Sequence, residues 1–279
     1  MGRSGPATSG PVTPEPMTMH GAPHLASVVA MFEDVYRVDQ QASQVGPDEV
    51  TELDDLLGGR TPLGYREFVT ELGDGVCSGY VRVYPPARVL AEFESVQDRV
   101  QECFFWDAGA AVATRDDLAT AVIVADTLAG DEVFVHPDTD RLLVLPREED
   151  GIYAFPNDLR DVLTWLLTSG TLTPALPQPP TFETAHGQQH RGFAGVPGLT
   201  QEAVAAAVAA LADGARRDDV ADGDDDYIQQ FLPSVGGHVF VSGEGEDLFA
   251  TFSVAGSARA EDVEAVTAAL LGTGLVRST

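Results

Sequence analysis

Histidine is the residue type whose positions first suggest chemistry in this sequence. His186 and His190 have the i,i+4 spacing of a zinc-binding pair, but no Glu follows His186 as a general base, and the flanking sequence AHGQQHRG is typical of a loop. His136 precedes a proline at the end of a predicted strand, and His238 begins a strand with no partner near it in sequence. A structural or surface role is the better interpretation of each of these histidines.

Other candidates for chemistry are equally weak. The acidic run at residues 218–226 resembles a calcium loop in composition, but counted from Asp219 the sixth residue is Asp224 and the twelfth is Phe231, where a calcium loop needs Gly and Glu. Cys77 and Cys103 lack the spacing of a metal or redox pair. No glycine-rich phosphate loop or nucleophile elbow occurs. We therefore expect no catalytic residues, no cofactor and no metal, with an enzyme of unknown class kept as an alternative.

The charge excludes several classes of partner. The 279 residues carry 16 Lys+Arg against 44 Asp+Glu, a formal charge of −28, and every cation is Arg. Residues 25–175 hold 10 Arg against 28 acids and residues 176–279 hold 5 against 15, so both folded parts share the charge. Nucleic acids and anionic membranes require a basic face. We expect neither as a direct partner, and a basic protein would be attracted instead.

The hydrophobic pattern divides the chain into four parts. Residues 1–24 are rich in Pro, Gly, Ser and Thr without a period, which predicts a disordered tail. Residues 25–169 predict helices, then short strands, then a closing helix. Residues 170–199 contain five prolines and are interpreted as a linker or an extended wrapping segment. Residues 200–279 predict a small α-β-β-β-α unit. This order predicts an α+β fold.

Within residues 25–169, apolar spacing predicts each element. Helices are expected from Leu25 to Tyr36, after Pro47, after Thr61-Pro62, over Val89–Val100, and after the capping residues Pro156-Asn157-Asp158. Strands are expected at the alternating or β-branched runs Gly79–Tyr84, Ala121–Ala125, Glu132–His136, Leu142–Leu145 and Ile152–Phe155, forming an antiparallel meander.

In residues 200–279, Thr200 is the predicted N-cap of an Ala-rich helix. The other predicted elements are strands near Tyr227–Leu232, His238–Ser242 and Leu248–Val254, and a helix from Ala260 to Leu271. A hairpin is expected around residues 243–247.

Two kinds of residue are candidates for binding a protein partner. Three consecutive aromatic residues cannot all face the core, and exposed aromatic anchors are typical of interfaces; the alternative is that two pack inside and one is incidental. Acidic residues in predicted turns could present charge to a basic partner, although solvated turns have the same composition. The candidate residues are Phe104, Phe105, Trp106, Asp131, Glu132, Asp138 and Asp140.

Three blocks of residues 25–169 resemble the SUKH superfamily, the Smi/Knr-like domains. The first is LDDLLGGRTPLGYREFVTELGDG, with Pro62, Tyr65, Phe68 and the Gly73/Gly75 turn at the family's positions. The second is IVADTLAGDEVFVHPDTDRLLVLP, and the third is the closing helix from Phe155 to Leu167. Thr61 and Asp74 depart from the usual pattern. The resemblance covers about half of the chain.

The resemblance implies a bent, mainly antiparallel sheet packed by helices. Bacterial members of this superfamily are similar in role to immunity proteins, which bind and neutralise a cognate polymorphic toxin, and fungal relatives are regulatory interaction domains. A basic toxin domain is therefore the expected partner, and a regulatory adaptor or scaffold is the alternative. The sequence leaves the oligomeric state open. A cytoplasmic location is expected, since no apolar membrane span and no secretory signal pattern are found.

Overall fold

The computed structural model describes residues 32–38, 45–185, 188–211, 216–220 and 226–278, and this part of the chain confirms the predicted α+β class. The helices are α1 Pro47–Leu56, α2 Tyr65–Glu71, α3 Pro86–Cys103, α4 Arg115–Leu118, α5 Leu159–Thr168, α6 Gln201–Ala209 and α7 Ala260–Gly272. The strands are β1 Tyr36–Arg37, β2 Gly75–Cys77, β3 Val81–Val83, β4 Val122–Thr127, β5 Glu132–Val135, β6 Arg141–Leu145, β7 Tyr153–Pro156, β8 Thr181–Thr184, β9 Gln189–Ala194, β10 Arg217–Val220, β11 Tyr227–Leu232, β12 Gly237–Ser242, β13 Phe249–Val254 and β14 Val276–Arg277. No helix in this described part is long and apolar enough to cross a membrane.

The first sheet has the order β1-β8-β2-β3-β4-β5-β6-β7. All of its neighbouring strands are antiparallel except β1 and β8, which are parallel. Strand β4 is buried along its whole length, because helix α3 packs against it and strands border it on both sides. This burial explains why the strand begins with a continuous β-branched run at residues 122–124 rather than with an alternating pattern.

Helix packing against this sheet is fixed by a few large buried groups. The fully buried Tyr65 of α2 donates its hydroxyl to the carbonyl oxygen of Tyr84 at 2.6 Å. Helix α5 begins at Asp158, whose carboxylate accepts the backbone N–H of Arg160 at 3.0 Å, as the predicted N-cap requires. Its apolar side then buries Val162 and Leu166 against the sheet.

The second sheet has the order β10-β11-β12-β13-β9-β14 and is antiparallel throughout. The helices α6 and α7 contact each other, and their apolar side chains share one core with the sheet. Thr200 accepts the backbone N–H of Ala203 at 3.3 Å, which confirms the predicted N-cap of α6. The predicted hairpin connects β12 and β13 through a short 3-10 turn at Gly245–Asp247.

Residues 170–199 are more than a linker. Strand β8 lies inside the first sheet, between β1 and β2, and strand β9 lies inside the second sheet, between β13 and β14. The first sheet therefore extends to Thr184, beyond the expected boundary at residue 169. Four of the five prolines lie in the first part of this segment, before β8, and the four buried residues of β8 are too short a run to show a period.

The predicted first helix differs from the structure at its C-terminal end. Residues 32–35 form a turn and Tyr36–Arg37 form β1, while the rest of that prediction lies outside the described residues. The predicted tail, residues 1–24, lies outside them as well. Phe32 packs its ring edge-on against Phe68, with centroids 5.2 Å apart, so the turn itself is fixed by core packing.

The two sheets contact each other through polar and aromatic groups. Nδ1 of His238 lies 2.6 Å from Oε2 of Glu183, and both side chains are largely buried. The guanidinium of Arg216 lies 5.7 Å from the ring of Tyr36 and 5.8 Å from that of Phe231. Because Tyr36 and Glu183 belong to the first sheet and the other three residues to the second, this contact ties the two sheets together.

Candidate partner-binding surface

The aromatic run after α3 divides between core and surface. Phe104 ends α3 with an extended backbone, so the following residues no longer follow the helical period. Trp106 is buried and donates its Nε1–H to the carbonyl oxygen of Pro146 at 2.7 Å. Phe105 is 47% exposed and stacks on Trp106, with centroids 4.0 Å apart and planes inclined by 26°. Phe105 is therefore the member of the run that a partner could contact.

Asp131 lies in the interior rather than on the surface where a partner would meet it. Its side chain is only 4% exposed. One carboxylate oxygen accepts the hydroxyl of Thr127 at 2.6 Å and that of Tyr80 at 3.0 Å, and the other accepts the backbone N–H of Arg147 at 3.0 Å. Burial, together with this carboxylate, raises the pKa of Tyr80 to about 12. Asp131 is thus a structural hydrogen-bond acceptor, and its predicted role as a partner contact is wrong.

Trp106 and Asp131 hold the same segment, residues 147–151 between β6 and β7, which we call the acidic loop. Trp106 binds the residue before it and Asp131 binds its first N–H. The backbone N–H of Gly109 donates to the carbonyl of Asp150 at 3.1 Å, and the hydroxyl of Tyr153 donates to Glu149 at 2.9 Å. Four hydrogen bonds therefore fix the loop from three different parts of the fold.

Gly109 allows the close approach that one of these bonds requires. A β-carbon at this position would lie 2.4 Å from Cγ1 of Ile152, which real side chains do not tolerate. Gly151 in the loop itself has open space around it. The absence of a side chain at Gly109 therefore lets the short 3-10 turn at Asp107–Gly109 pack directly onto the end of the acidic loop.

Phe105 and the acidic loop line a shallow depression of about 590 Å³. Glu148, Glu149 and Asp150 are exposed around it. Arg147 lies within 3.9 Å of Glu148 and offsets one of these charges, so the loop remains net negative. The depression thus combines one exposed aromatic ring with a cluster of solvated carboxylates, and we call these residues together the Phe105 surface.

The other acidic residues predicted to contact a partner, Glu132, Asp138 and Asp140, do not add unpaired charge to the Phe105 surface. Glu132 starts β5, and its side chain, 14% exposed, pairs with Arg99 of α3 at 2.5 and 3.1 Å. Burial raises the pKa of Glu132, and Arg99 opposes that shift. Asp138 and Asp140 are exposed, but they lie in the β5–β6 turn, at the other end of these strands from the acidic loop. A partner at the Phe105 surface would not use either of them.

The acidic loop supplies candidate contact residues that the sequence analysis missed. Its signal was present as the run REED between two predicted strands. A run of charged residues between two predicted strands normally indicates only a solvated turn. What distinguishes this loop is its position beside Phe105, and that depends on hydrogen bonds between residues distant in sequence.

Two of the histidines lie beside polar side chains, and the two cysteines differ in burial. No cluster of three or more His, Cys, Asp or Glu residues in the described part of the chain is arranged to hold a metal ion. Nδ1 of His190 lies 2.8 Å from the hydroxyl of Ser253, and His238 pairs with Glu183. His186 and residues 221–225 lie outside the described part. Cys77 is buried, which raises the pKa of its thiol to about 12, whereas Cys103 is exposed.

Comparison of the sequence with protein-family models found no match. Searches of curated proteins and of solved structures also found no match. The Phe105 surface, with its exposed aromatic ring and anchored carboxylates, is therefore the main structural basis for a functional proposal.

Proposed function

We propose that this chain is a non-catalytic immunity protein that binds and neutralises a basic bacterial toxin domain, and that the Phe105 surface makes the contact. The observation that carries the proposal is the exposed ring of Phe105, stacked on buried Trp106 and bordered by an anchored acidic loop. The resemblance of residues 25–169 to the SUKH superfamily supports the same role.

The chemistry of this surface suits a cationic partner. An aromatic ring that is held in one orientation loses little conformational entropy on binding, so it can serve as an anchor at the centre of an interface. The carboxylates of Glu148, Glu149 and Asp150 would attract Lys and Arg side chains and accelerate encounter. The formal charge of −28 strengthens this attraction at long range and weakens binding to acidic competitors.

The first experiment identifies the partner through the genes beside this one. The product of the adjacent gene is tested for a complex with the full chain, and cells expressing that product are tested for rescue. We expect a tight complex and survival. Absence of both would refute the immunity role.

The second experiment assigns the surface with matched variants. Phe105→Ala is expected to weaken binding of the partner by about ten- to a hundredfold, mostly through faster dissociation. Glu148→Gln combined with Glu149→Gln is expected to slow association and flatten its salt dependence. Asp138→Asn combined with Asp140→Asn is the control, since it removes equal charge from the opposite end of the strands.

A regulatory adaptor is the second candidate function. The observation that favours it is a separate aromatic face on the second sheet, where the half-exposed Phe249 lies beside the partly buried Phe240. An adaptor would bind one partner on each sheet, and simultaneous binding of two proteins by one chain would distinguish it from a single-partner immunity protein.

A further inference from the structure

Strands β11, β12 and β13 have two unlike faces. One face carries Val239, Val241 and Phe252, which are buried against α6 and α7. The opposite face, which we call the outer face, presents Tyr227, Phe240, Phe249 and Thr251, and β14 adds Val276 beside them. Strand alternation and the register of the ladder place these side chains together.

The aromatic residues of the outer face form a continuous ladder. The rings of Tyr227 and Phe240 are 4.8 Å apart, and those of Phe240 and Phe249 are 5.6 Å apart, each pair inclined by 36°. Phe249 is 48% exposed and Val276 is 51% exposed. The first part of the fold contacts this face at Phe231 and His238, and Leu176 and Pro177 share a small cavity with Tyr227. Phe249 and Val276 lie outside that contact and form the exposed apolar part of the face.

Acidic residues border the end of this ladder. Asp226 precedes β11, and Glu244, Glu246 and Asp247 lie in the β12–β13 connection; all four are exposed. Among the described residues, none of the four forms an ion pair; the arginines nearest to them in sequence, Arg216, Arg217 and Arg259, pair with other acids. Aromatic residues framed by unneutralised carboxylates have the composition of an interface core and rim.

We infer that the outer face is a docking surface for a second protein, whose contact region is apolar and framed by Lys or Arg. The charge of the rim identifies this occupant. A second copy of the chain would bring equal acidic rims together and add a net −28 to a net −28, which opposes association. A cationic amphipathic partner would bury the ladder and neutralise the rim at the same time. This surface is separate from the Phe105 surface and does not depend on the function proposed for it.

The test uses two labelled helical peptides with the same charge. One is amphipathic and built of Leu and Lys; the other has Ser in place of Leu, so it reports charge attraction alone. We expect the Leu/Lys peptide to bind the full chain more tightly than the Ser/Lys peptide in fluorescence anisotropy. Phe249→Ser is expected to weaken the Leu/Lys peptide about tenfold and to leave the Ser/Lys peptide unchanged.

Further variants separate the outer face from other sites. Val276→Ser should also weaken the Leu/Lys peptide, whereas Leu63→Ser, at an exposed leucine just before α2, should not. Phe249 and Val276 are half-exposed, so their replacement is compatible with folding, and urea unfolding curves verify that. Equal binding of both peptides, or an equal loss caused by Leu63→Ser, would overturn the inference. Sedimentation velocity that shows a dimer broken by Phe249→Ser would assign the face to a second copy and overturn it as well.

Discussion

Replacement of Asp131 by Ala tests whether this residue is structural or a partner contact. The change removes an acceptor of three hydrogen bonds, from Thr127, Tyr80 and the backbone of Arg147. Hydrogen bonds to a charged group contribute about 1.5–3 kcal/mol each, but they are not additive. Thr127 is buried and loses its acceptor outright, whereas the half-buried Tyr80 and the exposed Arg147 can reach water. We therefore expect a loss of about 3 kcal/mol in the free energy of unfolding.

The assay is urea denaturation followed by circular dichroism and tryptophan fluorescence. Asp131→Asn keeps the volume and one carbonyl oxygen, so about 1–2 kcal/mol is expected for that variant. Asp138→Ala is the matched control, and a change within about 0.5 kcal/mol is expected because Asp138 is exposed in a turn. If Asp131→Ala cost no more than Asp138→Ala, the structural role of Asp131 would be refuted.

Three further predictions concern reactivity, packing and pH. A maleimide should modify exposed Cys103 in the native chain but reach buried Cys77 only after unfolding, which mass spectrometry of the labelled peptides would show; equal native labelling contradicts the packing. Gly109→Ala should cost about 1–3 kcal/mol in urea unfolding, because a β-carbon would lie 2.4 Å from a neighbouring isoleucine, while Gly151→Ala should cost much less. The raised pKa of Glu132 adds stability below its ordinary pKa of about 4.3, and that contribution is lost as the pH rises through the folded-state value. Glu132→Gln should therefore become more stable relative to wild type from pH 4 towards neutral, and a pH-independent difference would contradict this.

Local patterns predicted the main elements well. The predicted strand Ala121–Ala125 overlaps the first four residues of β4, and the acidic first turn after Pro47 begins α1. Asp158 and Thr200 cap their helices as their side chains allow. Such features depend on residues within a few positions of one another, so one sequence is sufficient to predict them.

Local sequence patterns could not predict the shortest strands or the candidate surface. Strands β1, β8 and β14 have two to four residues each, and only their pairing with distant strands defines them. The aromatic run could be predicted to expose at least one ring, but neither the exposed member, Phe105, nor its neighbours in the acidic loop could be predicted. That neighbourhood depends on the bond from Trp106 to Pro146, which joins residues far apart in sequence.

The position of β8 has a consequence for synthesis of the chain on the ribosome. Strands β1 and β2 belong to the first half of the chain, but β8 lies between them and is translated much later. This edge of the first sheet cannot complete its hydrogen bonds until residue 184 has left the exit tunnel. Nascent chains arrested before that point should therefore expose an unpaired strand edge, and sheets that depend on such late partners fold slowly and are vulnerable to aggregation.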